Sequence, residues 1–272
     1  MMKVVKYSLN KLLIMCALYL PVTFAQETMT LTSDSISFGD ITLTWSGSRS
    51  VSAYPIFENG VHVDTVGGGQ TTYTLFGRSQ GTKSYRVEGC ISWGCQDLTS
   101  GNQVVSNTVS VKVGNTISYQ IRRHTYAPSM GEALADSTLA GITNILTTVD
   151  GSGDIACATQ IVREGNVVTF TEGDGSIDSS NELAALKPGI NLVDELNFCA
   201  TAAPNIGGCA FSGDTIAVPI LWSSIRSVVW GHEIGHLTGL AHRNGTYTLM
   251  NSGADADNRH VNISECNSFL AE

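Results

Sequence analysis

Residues 232–242 of this 272-residue chain read His-Glu-Ile-Gly-His-Leu-Thr-Gly-Leu-Ala-His, and no other stretch constrains the fold as tightly. Side chains four apart stack on one face of a helix, so His232 and His236 can share an ion if this run is helical. Gly239 then lets the chain leave the helix through a left-handed conformation that a side chain would resist, and His242 returns as a third ligand. Three neutral imidazoles leave a tetrahedral zinc ion one open position, as in catalytic rather than structural sites. Glu233, about 100° further round the helix, reaches that position as a general base without itself ligating. At this chain's residue frequencies the five fixed positions coincide by accident in about one in 10⁵ sequences. The lone histidines His62, His124 and His260 read as surface or packing residues.

The first 25 residues have the layout of a secretory signal peptide: Lys3, Lys6 and Lys11, an apolar run over 12–20, then Thr23-Phe24-Ala25 as a cleavage site. The apolar run falls well short of the ~20 residues that a spanning helix needs, and no later segment is longer. The mature chain is therefore expected to be secreted and soluble, in the periplasm or outside the cell. Removing three lysines leaves 12 basic residues against 24 acidic ones, a formal charge of -12 in place of -9. That balance disfavours nucleic acid and anionic membrane as partners. Six cysteines remain, which allow 15 pairings in an exported chain. Proximity favours Cys90 with Cys95 and Cys199 with Cys209, leaving Cys157 with Cys266. Calcium enters as a second cofactor because Glu172, Asp174, Ser176, Asp178 and Glu182 place oxygen ligands in a Gly-rich loop. Their spacing is not that of the twelve-residue calcium loop, so a solvated acidic loop is the preferred reading.

Residues 27–113 are strand-like, with alternating runs at 41–45, 72–76, 85–87 and 108–113. Asn59-Gly60 between runs at 54–58 and 61–66 is a hairpin signal, because a two-residue primed turn needs positive φ twice. Short strands at this spacing predict an all-β sandwich. Trp45, Leu75, Tyr85-Arg86-Val87 and Ser106-Asn107-Thr108-Val109 resemble a fibronectin type III domain. The resemblance implies a spacer or a module that contacts an extracellular protein or glycan, and it implies no chemistry.

Residues 114–272 change character and predict an α+β domain, so the chain is multidomain. Strands are expected at 117–121, 155–162, 167–170, 191–198 and 215–220, and helices at 130–149 and 223–240. The eleven-residue run followed by Thr248-Leu249-Met250-Asn251 resembles the metzincin zinc peptidases, whose signature precedes a methionine-bearing turn beneath the metal. The resemblance implies a five-stranded sheet, a C-terminal helix that 263–270 can supply, and an edge strand within 209–218 that lines up antiparallel to bound substrate. It also implies a zinc-dependent metalloendopeptidase acting on protein or peptide, with Glu233 as general base and Met250 in the turn. Ser252 stands where some members carry an oxyanion-assisting tyrosine, and Arg243 matches no subgroup. Two other readings are a catalytically inactive adhesion protein, which the intact Glu233 opposes, and a zinc amidase or deacylase. The glycine-turned third ligand and the later methionine favour the peptidase over the latter.

Overall fold

The computed structural model describes residues 28–46, 51–90, 103–211, 213–219 and 223–271. The expected signal peptide and Cys95 lie outside these residues. Cys90 is disulfide-bonded.

The N-terminal half forms β1 (Thr30–Thr32), β2 (Ile36–Ser37), β3 (Ile41–Ser46), β4 (Ala53–Glu58), β5 (Val61–Gly67), β6 (Thr72–Leu75), β7 (Gly81–Cys90), β8 (Gln103–Val105) and β9 (Val109–Val113). They make one sheet of order β1-β3-β6 and a second of order β2-β9-β7-β4-β5, with β8 pairing β7. In β3 the period of two is plain: Ile41, Leu43 and Trp45 are buried and Thr42 and Thr44 face out. These residues meet Tyr54, Ile56, Tyr85, Val87 and Val111 in one core, so the expected sandwich is present. Asn59 and Gly60 have φ of 51° and 80°, as the primed turn between β4 and β5 requires.

The second half contains β10 (Asn115–His124), α1 (Glu132–Thr147), β11 (Thr159–Phe170), β12 (Ser176–Ile177), α2 (Ser180–Ala185), β13 (Gly189–Val193), β14 (Glu195–Leu196), β15 (Phe198–Cys199), β16 (Thr201–Ala202), β17 (Cys209–Phe211), β18 (Thr215–Pro219), α3 (Arg226–Leu237) and α4 (Ile263–Ala271). Five strands form one sheet of order β11-β10-β13-β18-β17. All neighbours run parallel except β17, which lies antiparallel to β18 at the edge.

All five residues of β13 are buried, because both faces of the sheet are covered. Ile190 and Leu192 point with Ile216 and Val218 into a core shared with Leu139 and Ile142 of α1, Trp230 and Ile234 of α3, and Phe269 of α4. Val193 and Ala217 point the other way, into a smaller core with Leu183 of α2. Two disulfides staple this half: Cys157 to Cys266, with Cα atoms 5.3 Å apart, and Cys199 to Cys209, at 5.7 Å.

One expectation about the sheet needs correction. The strands expected at 155–162 and 167–170 are one strand, β11, because Gly165 at φ 57° forms an irregularity inside it rather than a turn. Opposite, the register of β10 shifts between Gln120 and Arg122 to absorb the extra residues. Residues 155 and 157 instead bond away from the sheet, Ile155 N–H to the Val261 carbonyl and Cys157 N–H to that of Leu146. The acidic loop is not gathered as a calcium site among the described residues. Glu182 instead closes the first turn of α2, its Oε2 accepting from the Asp178 N–H at 2.8 Å and the Ser179 hydroxyl at 2.9 Å, while Asp178 accepts from Asn197.

Candidate metal centre

Helix α3 carries His232 and His236 on one face, and the chain leaves it through Gly239 at φ 86°, as the sequence requires. Thr238 and Gly239 N–H groups bond back to the last-turn carbonyls, so the helix ends cleanly before His242. The Nε2 atoms of the three rings form a triangle: 3.0 Å between His232 and His236, 3.1 Å between His236 and His242, and 3.2 Å between His242 and His232.

A hydrogen bond does not account for the His232–His236 edge of that triangle. His232 Nδ1 donates to the Leu249 carbonyl at 2.8 Å, and His236 Nδ1 to the Leu240 carbonyl at 2.7 Å. A carbonyl only accepts, so in each neutral ring the proton sits on Nδ1 and the Nε2 at the centre is a bare lone pair. Burial pushes both imidazoles below their usual range, against the pull of those carbonyls, and keeps them neutral. Unprotonated nitrogens this close repel one another unless a cation lies among them. The three histidines could therefore hold a metal ion, and imidazole sets suit zinc, copper, iron or nickel.

Glu233 is 6% exposed on the same helix and lines the same cavity as His232 and His242. Burial pushes its carboxyl up to about 7, while the Ala210 N–H of β17 donates to it and pulls the other way. Gly208 lies against this carboxylate so closely that a Cβ there would stand 2.6 Å from Oε1.

Met250 is fully buried in the turn after His242. A Cβ on Gly235 would stand 2.4 Å from its sulfur, so the small residue inside the helical signature is what lets the turn close on α3. The turn is tied at its base, where the Arg243 N–H bonds the Met250 carbonyl at 2.8 Å. It is tied from outside by a two-pronged pair between the Arg243 guanidinium and Glu265, at 2.6 and 2.9 Å. Glu265 also caps α4 reciprocally with Asn262. Because the Leu249 carbonyl orients His232, these contacts act on a ligand from beyond it.

Sequence reasoning missed Gly208, Gly235, Arg243 and Glu265. The Asn262-x-x-Glu265 cap was legible as a motif, and Gly207-Gly208 beside a cysteine hints at close backbone approach. Nothing local marks the Arg243 pair, which spans 22 residues.

The cleft beside the triad has a volume of about 380 Å³. One wall is the segment 199–208, closed by the Cys199–Cys209 bond; the other is 251–254, including Ser252; and Val228 and Val229 of α3 line it as well.

No family model matches the chain, and no curated protein matches it. Solved structures similar to it include fibronectin(III)-like modules of CbhA from Clostridium thermocellum, 14% identical over 32% of this chain and 94% of that one, TM-score 0.26. The fn3 domain of human collagen alpha-1(XX) chain is 19% identical over 39% of this chain and 92% of that one, TM-score 0.27. A beta-1,2-glucanase from Parabacteroides distasonis is 18% identical over 45% of this chain but only 16% of its own length, TM-score 0.26. Likeness at these TM-scores carries no weight for activity.

Proposed function

We propose that this chain is an exported zinc-dependent metalloendopeptidase of metzincin type, with a fibronectin type III-like sandwich over 27–113 and the peptidase domain over 114–272. The observation that carries the reading is the convergence of three imidazole Nε2 atoms beside a cleft that Glu233 also lines. Two further features support it. The five-stranded sheet ends in an antiparallel edge strand, and Met250 sits in a closed turn packed against the helical signature. The disulfides and the lack, among the described residues, of a helix able to cross a membrane are compatible with export. The sandwich is assigned contact with an extracellular protein or glycan.

When bound, zinc supplies the Lewis acidity that polarises an amide carbonyl and lowers the pKa of water towards ~7. His232 and His236 are held in the ligating tautomer by backbone carbonyls. Glu233 takes the proton of the attacking water on its carboxylate and passes it to the leaving amine nitrogen. Its burial keeps proton affinity near neutrality, and the Ala210 N–H fixes its orientation. An extended peptide adds to the outer edge of β17, which pairs with no strand among the described residues.

The test is cleavage of a peptide library by the mature protein, with metal analysis of the same sample. One zinc per chain and cleavage abolished by a chelator are expected. Zinc at full occupancy without cleavage would return the domain to a binding role, and cleavage indifferent to chelation would remove the metal from the reaction.

A further inference from the structure

We propose a second ligand site, on the sheet face opposite α1 and α3, that takes a small carboxylate carrying an apolar group. A cavity of about 300 Å³ opens there, and it shares no lining residue with the cleft beside the triad. Its place follows from topology. From β10 the chain passes through α1 to β11 on one side, then returns to β13 on the other. Neighbouring parallel strands whose connections depart in opposite directions leave a crevice at their carboxyl ends, which is where open α/β sheets bind ligands. Arg122 and His124 at the end of β10, Phe170 at the end of β11 and Val193 at the end of β13 line this cavity.

The lining sorts by chemistry. Val168, Phe170, Ile177, Leu186 and Val193 give an apolar wall. Arg122 and Lys187 supply two cations, and neither is in an ion pair among the described residues. The Arg122 Nε donates to the Pro188 carbonyl at 3.1 Å, which anchors the guanidinium while leaving its two terminal nitrogens to a ligand. Of the two acids at the rim, Glu182 caps α2, while Glu172 accepts from the Thr171 N–H at 3.0 Å and lies close enough to Lys187 and His124 to feel their charge, so a ligand carboxylate meets Arg122 first.

The buried His124 gives an independent indication. Its Nδ1 accepts from the Tyr126 N–H at 3.2 Å, so the neutral ring carries its proton on Nε2. That Nε2 is shut off from solvent and has no acceptor in the protein. A buried donor without a partner calls for an explanation, and a ligand oxygen supplies one when the ring, whose Nε2 admits no water as it stands, turns towards the cavity that His124 lines. Phe170 and Tyr126 pack against the ring, with centroids 5.1 and 5.2 Å away, and hold it in the wall.

The experiment is calorimetric titration of the purified protein with N-acetyl-L-leucine, and with N-acetyl-L-leucinamide as the uncharged control. The acid is expected to bind saturably and to shift the His124 ring resonances, with the amide at least about tenfold weaker, the effect of one charge-assisted pair. The double variant R122Q/K187Q, altered at solvent-accessible positions, should weaken the acid about tenfold, A185W should block it, and H236A should leave it unchanged. Equal affinity for acid and amide, no saturation below about 10 mM, or binding lost in H236A instead of R122Q/K187Q would each overturn the proposal.

Discussion

Two polar clusters, one in each half of the molecule, balance differently. In the sandwich, Glu58 accepts hydrogen bonds from Arg78 Nε at 3.0 Å and from the Tyr85 hydroxyl at 2.6 Å. Burial pushes the Glu58 carboxyl up, yet the two donors outweigh it and hold it below the usual carboxylate range. Burial, with Glu58 as acceptor, drives the Tyr85 hydroxyl well above its own range, so that cluster is one carboxylate with two donors that stay protonated. The histidine triangle directs the protons of His232 and His236 outward to carbonyls and their two lone pairs inward, towards the Nε2 of His242. A polar cluster that satisfies itself is structural, whereas one with surplus acceptors is complete only with a positive guest.

The sharpest way to break this contrast is to remove one lone pair. His236→Ala should lose bound metal and reduce peptide cleavage at least ~10³-fold, with folding retained by circular dichroism. Metal held by this variant as tightly as by the parent would mean that the triangle is not the site. Glu233→Gln separates binding from chemistry: metal content should stay near parent while cleavage falls ~10²–10⁴-fold, the span of a general base. Near-parent turnover in that variant would take Glu233 out of the reaction.

The triad was legible because its chemistry is local: eleven consecutive residues fix helix, exit and ligands together. The sandwich was legible through alternation, as in β3 and the Asn59-Gly60 hairpin. What could not be read depends on contacts distant in sequence. Nothing near Gly235 announces that Met250 will rest on it, and nothing near Arg243 announces Glu265. The acidic loop left calcium open as an alternative because carboxylate spacing says nothing of whether Glu182 faces an ion or caps its own helix. In β11, Gly165 looked like a turn because a bulge and a turn draw on the same positive-φ residue.

Those distant contacts define the next effects. Gly235→Ala adds a methyl where the Met250 sulfur already lies, so overpacking of about 1–3 kcal/mol is expected, together with weakened metal retention as the turn is displaced. Gly208→Ala collides instead with the Glu233 carboxylate, and should depress turnover more than metal content. Gly207→Ala meets open space and is the control. Thermal melts, metal analysis and cleavage assays of the three variants distinguish these outcomes; identical behaviour would show that the close approaches are incidental. Glu265→Gln leaves the Arg243 guanidinium without its charged partner and weakens a cap, for a loss of about 1–2 kcal/mol, since Arg243 is about one-third exposed and water replaces part of the pair. Its effect on metal retention should be smaller than that of Gly235→Ala.

The smallest effect tests the closed cluster. Glu58→Gln keeps the shape of the side chain but removes the charge that accepts from Arg78 and Tyr85, and about 1 kcal/mol of stability should go with it. The sign of the pH dependence follows from the lowered carboxyl. The Glu58 contribution is fully present above the unfolded carboxylate value of about 4.3 and is lost as pH falls through the lower folded value. Parent and variant should therefore melt apart at neutral pH and converge in acid, with metal content and cleavage equal throughout. If Glu58→Gln also lost metal, the two clusters would be coupled, and the division between a self-satisfied cluster and an open one would not describe this molecule.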